Sequence, residues 1–142
     1  MLRTDTNRVL LRFVEGRPIS AVSITFLQWV CQQWVCQELQ SEGKQALLLV
    51  WEPASWHISQ QVKGWVQEHN ARAKQAGGIR ILSCLLPVKS PWLNPIEPHW
   101  VHAKRAIVEP EGKLTAQETR ERVCHYFGCP CLDHITVTKE VA

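Results

Sequence analysis

LLPVKSPWLNPIEPHWVHAKRA, residues Leu85 to Ala106, combines prolines, two tryptophans and a run of basic side chains around one acid, Glu97. Neither a plain helix nor a plain strand template produces this mixture. Asn94 is a good N-cap, Pro95 suits a first helical position, and Glu97 falls third, where it would close a capping box. The pattern therefore predicts an extended loop over Pro87 to Pro95 and a helix from there to about Val108, ended by Pro110 and Gly112.

Upstream of this stretch the pattern alternates. Arg8 to Val14 is apolar and β-branched enough for a strand. A helix should run from Ser20 or Ser23 to Gly43 with Val22, Phe26, Leu27, Val30, Trp34 and Val35 at helical spacing. It contains a tandem repeat, QWVCQ at Gln28 to Gln32 and again at Gln33 to Gln37. Five residues turn a helix face by roughly 140°, so the two copies cannot show one core the same side chains. Ala46 to Trp51, ALLLVW, reads as a parallel strand buried on both faces. Ser55 should cap a helix to His69 or Asn70, Ala71 to Gly78 reads as a loop, and Ile79 to Leu85 as the next strand. Past Gly112, Thr115 and Glu118 form a capping-box pair for a last helix that stops near Gly128. The expected architecture is a single α/β domain over 1–142, with a mixed sheet flanked by helices and a tail from 128 to 142.

Composition narrows the class. The chain has 142 residues, 45% of them hydrophobic and 20% charged, which fits a globular domain and not a disordered one. A net charge of +3 permits a nucleic-acid partner without requiring one. No apolar run approaches the ~20 residues of a membrane span, and no signal-like segment opens the chain. Its six cysteines are then read as reduced thiols of a cytoplasmic protein. Cys124, His125, Cys129, Cys131 and His134 are dense, but their spacing fits no standard zinc module.

Two carboxylates hold comparable places, Glu52 at the end of a strand and Glu97 at the start of a helix. In open α/β sheets ligands bind beyond the carboxyl ends of the strands. Carboxylates there suit Mg²⁺, a hard cation that takes oxygen ligands. The plainer roles are a solvated strand-end acid and a helix cap.

LLLVWEPASWHIS at residues 47–59 and LLPVKSPWLNPIEPHWVHAKR at residues 85–105 together resemble the catalytic domain of mariner-like insertion-sequence transposases, the DDE superfamily endonucleases. The resemblance runs from about Val9 to Phe127. It implies a ribonuclease-H-like fold and a reaction in which three acidic side chains hold two Mg²⁺ or Mn²⁺ ions while DNA strands are cut and joined. By this resemblance Glu97 matches the third acid and Glu52 the second, with Glu52-Pro53 standing where the family has an Asp-Asn pair. The first aspartate is expected upstream of these residues, so the chain is read as beginning inside the domain; Asp5 is the one early acid to weigh.

His57 matches a histidine of the same motif. Lys89, Ser90, Trp92, Trp100, His102, Lys104 and Arg105 combine cations with aromatics, as contact with transposon-end or target DNA requires. The sheet, lacking its middle strands, is expected to leave edges open to self-association. The reading is a truncated, catalytically incompetent transposase domain. Its alternatives are a non-catalytic DNA-binding or oligomerising remnant and a pseudogene product.

Overall fold

A computed structural model describes residues 1–33, 35–108 and 112–137. The chain divides into two compact units, Met1–Phe13 with Pro91–His134, and Val14–Ser90 with Ile135–Ala142.

In the larger unit, helix α1 covers Ser20–Gln33 and α2 covers Val35–Ser41. Residue 34 lies between them outside the described residues, so the expected place of Trp34 in the helical stripe falls there too. Strand β1, Ala46–Trp51, forms as its apolar run predicts and pairs in parallel with β2, Arg80–Leu85, from Ala46 opposite Arg80 to Trp51 opposite Leu85. Helices α3, Ser55–Ile58, and α4, Gln60–Ala76, connect the two strands.

Leu27 and Val30 from α1, Leu49 from β1, Val62 and Ala73 from α4, and Ile81 from β2 are buried in this unit. Asn70 ties helix to sheet. Its Nδ2 donates to the Ile81 carbonyl at 2.8 Å and its Oδ1 accepts from the Ile81 N–H at 2.7 Å.

Several boundaries depart from the sequence reading. The single helix expected from Ser55 is interrupted at Ser59, whose extended backbone ends α3 while its hydroxyl accepts from the Val62 N–H and caps α4. The expected loop over 71–78 is helical as far as Ala76, because Ala71, Arg72, Ala73, Lys74, Gln75 and Ala76 are all good helix formers. Gly77 stops it, in the left-handed region at φ 67°.

β1 is not buried on both faces. Leu49 is buried, but Leu48 is 62% exposed and lies opposite Leu82, itself 48% exposed, so one face of the strand pair faces outward. The long strand expected over Arg8–Val14 is also absent. Val14 makes an isolated parallel bridge with Ile135, and Arg8–Val9 belongs to a short hairpin in the other unit.

The smaller unit begins with that hairpin, β3 (Leu2–Arg3) against β4 (Arg8–Val9), antiparallel. Its turn includes Asn7 at φ 54°, and a bidentate pair of Arg3 with Asp5 braces it, at 2.8 Å and 2.9 Å. A 3₁₀ turn at Pro91–Leu93 precedes α5, Glu97–Ile107, and α6 covers Ala116–Phe127. α5 packs on α6, and Trp100 meets Phe127 edge-on at 5.2 Å between ring centroids.

The last helix follows the sequence reading closely. Thr115 and Glu118 make a complete capping box, and Gly128 at φ 61° closes the C-terminal end. α5 runs to Ile107, with Val108 as its C-cap; Pro110, expected to end it, lies outside the described residues. Among the described residues, no helix is long and apolar enough to cross a membrane.

Candidate functional site

Glu52 leaves the carboxyl end of β1 with its side chain exposed. The local structure fixes what surrounds it. His57, in the first turn after the strand, approaches the Glu52 carbonyl oxygen with Nδ1 at 3.1 Å. A carbonyl only accepts, so Nδ1 carries the proton and, in the neutral ring, Nε2 is the bare nitrogen. The imidazole also stacks on Trp51, centroids 4.7 Å apart and planes 14° apart, and Trp51 Nε1 donates to Ser83 Oγ at 2.8 Å. Trp51 and Ser83 therefore form part of this strand-end setting, although neither was singled out from the sequence; a tryptophan ending a strand beside an acid was the available signal.

Glu97 is the first residue of α5 and not, as expected, its third. Residue 96 occupies the cap with helical backbone and no side-chain cap bond. Asn94 does not cap the helix. Its N–H donates to the Pro91 carbonyl at 2.9 Å, its own carbonyl accepts from the Glu97 N–H at 3.0 Å, and its Oδ1 is a long 3.4 Å from the Ile96 N–H. The 3₁₀ turn has displaced the helix start by two residues. The consequence is chemical, because the Glu97 carboxylate is not used in a capping box and has no hydrogen-bond or ion-pair partner among the described residues.

Behind Glu97, the same helix carries His102, Lys104 and Arg105 exposed to solvent. Trp100 contributes packing against Phe127, whereas Trp92 is 73% exposed in the preceding turn. In the other unit, Lys89 is exposed with a left-handed backbone, φ 58°, beside the half-buried Ser90. Asp5 is engaged by Arg3, whose hydrogen bonds hold its carboxyl below the usual carboxylate range.

Glu52 and Glu97 belong to different units. Among the described residues, no group of three His, Cys, Asp or Glu side chains is arranged to hold a metal ion. Among the described residues a three-acid metal centre is therefore not complete.

A carboxylate beyond the end of a parallel strand places the molecule with α/β proteins whose functional residues gather past their strand ends. A family model narrows this, since that of the DDE superfamily endonucleases matches residues 8–119. The chain belongs to this family. Its mixed α/β structure is consistent with the ribonuclease-H-like class. The family's members generally use divalent metal ions, and their substrate is DNA. No curated protein and no solved structure matches the chain significantly.

Proposed function

We propose that the chain is part of the catalytic domain of a mariner-like insertion-sequence transposase of the cytoplasm. It supplies the second and third acidic positions, Glu52 and Glu97, of a Mg²⁺- or Mn²⁺-dependent centre that cleaves DNA and transfers strands. By itself it is catalytically incompetent. The observation that carries this is the contrast among its acids: Glu97 is unengaged at the head of α5 and Glu52 is exposed beyond β1, while Asp5 is held by Arg3. A glutamate in place of an aspartate at position 52 also reaches about one bond further, which matters at a centre needing ligand distances near ~2.0–2.1 Å.

Exposed Lys104, Arg105 and His102 on α5, with Trp92 ahead of it and Lys89 and Ser90 in the preceding loop, are the proposed contacts to transposon-end DNA. Fluorescence anisotropy with a labelled duplex tests this reading. Binding that weakens steeply with salt supports it, because neutralised phosphates release counterions. Salt-independent binding or none contradicts it.

A second reading is favoured by the outward face of Leu48 and Leu82 on a two-stranded sheet. There the chain is a non-catalytic remnant that associates with its own kind through the sheet edge beside this apolar face, on the β1 side because Asn70 already pairs with Ile81 of β2. Sedimentation separates the two readings, the second requiring a concentration-dependent dimer.

A further inference from the structure

Sulfur gathers at the end of α6, in a place the DNA chemistry does not use. Gly128 turns the chain back, so the Cys129 N–H donates to the Cys124 carbonyl at 3.0 Å and the Cys129 thiol lies 3.7 Å from the same oxygen. Cys124 Sγ lies 3.9 Å from the Pro130 carbonyl oxygen, whose carbon is bonded to the Cys131 nitrogen. Cys131 Sγ lies 3.8 Å from the Arg120 carbonyl, one turn before Cys124. Arg120 secures the returning segment, with Nη2 at 2.7 Å from the Leu132 carbonyl and 3.2 Å from that of Cys131. The three thiols thus gather around the last turn of α6 and the segment that folds back on it. Their accessibility is graded. Cys124 is 4% exposed, Cys129 is half-buried and Cys131 is exposed. Among the described residues no such group is arranged to hold a metal ion, which leaves the chemistry of sulfur itself.

We propose that Cys131 and Cys124 form a thiol–disulfide exchange site for small-molecule disulfides. The Cys131 thiolate attacks one sulfur of the disulfide, forming a mixed disulfide and expelling one small thiolate. The Cys124 thiolate then attacks Cys131 Sγ, closing an intramolecular disulfide and expelling the second. In balance, two protein thiols are oxidised, one small disulfide is reduced to two thiols, and the two protons pass from protein to leaving groups. Exposure sets the order, since only Cys131 of this pair is open to a solute. Burial pushes the Cys124 thiol up to about 12, so closure should accelerate as pH rises. The closed bond would staple the returning segment onto α6, the helix packed against the one that Glu97 opens.

The test treats the reduced full chain with oxidised glutathione, quenches by alkylation at intervals, and maps the cysteine-bearing peptides by mass spectrometry. Cys129→Ser should still yield a peptide lighter by two hydrogens and closed to alkylation. Cys124→Ser should accumulate glutathione on Cys131, and Cys131→Ser should give neither product. Exposed Cys84 should stop at the mixed disulfide. The wild-type time course, with glutathione appearing on Cys131 before closure, carries the test if Cys124→Ser fails to fold. Closure between Cys129 and Cys131, closure that survives Cys131→Ser, or no closure in the wild-type chain would overturn the proposal.

Discussion

The imidazole of His57 lies nearly flat on the indole of Trp51, centroids 4.7 Å and planes 14° apart, and its Nδ1 donates to the backbone of Glu52. Strand end, helix start and candidate acid are joined by this contact. Trp51→Phe keeps an aromatic face but loses the bond to Ser83, and should cost about 1 kcal/mol in urea unfolding. Trp51→Ala loses both and should cost more. Equal losses would mean that the stack contributes nothing.

Asn70 satisfies both backbone groups of Ile81. Asn70→Ala leaves them unpaired in a part-buried place and should destabilise the chain by about 2 kcal/mol, measured by urea denaturation. Asn70→Asp keeps the acceptor and loses the donor, so its loss should be smaller.

The capping box at the start of α6 makes stability depend on pH. Hydrogen bonds from Thr115 hold the Glu118 carboxyl below its ordinary value. A carboxyl depressed in the folded state stabilises it above the unfolded-state value, and that contribution is lost as pH falls through the folded one. The Tm of the wild-type chain should therefore drop more steeply in acid than that of Glu118→Gln, with the gap between them closing at low pH. Parallel Tm profiles would contradict this.

These contacts also indicate what the sequence could disclose. Ala46–Trp51 was legible because an unbroken apolar run bounded by turn residues has few alternatives, and Thr115 with Glu118 because a capping box is a local device. The start of α5 was misplaced although Asn94 and Pro95 are good cap residues: the 3₁₀ turn over Pro91–Leu93 used the Asn94 backbone first. Residues 71–78 read as a loop because they are basic and then glycine-rich, whereas helix propensity to Ala76 and the glycine stop at 77 decide the segment. The expectation that β1 is buried on both faces came from its hydrophobicity alone, and that pattern cannot say how many elements are present to cover a sheet. Glu52 and Glu97 were found by motif; the Trp51–Ser83 bond and the Asn70 clamp join distant residues, and no local pattern announces such pairs.

If α5 meets DNA, Lys104→Ala and Arg105→Ala should each reduce the slope of log K against log salt by about 1. Trp92→Ala should weaken binding to single strands more than to duplex, because a highly exposed indole offers a stacking face to unpaired bases. Anisotropy titrations at several salt concentrations read both effects. Unchanged slopes would remove α5 from the interface.

Under the proposed function, this chain carries two acids of a catalytic set and cannot act on them by itself. The direct measurement is strand cleavage: supercoiled plasmid incubated with the purified chain in Mg²⁺ or Mn²⁺, beside the Glu97→Gln variant. No nicking above background is expected in either. Nicking by the wild-type chain that Glu97→Gln abolishes would contradict it.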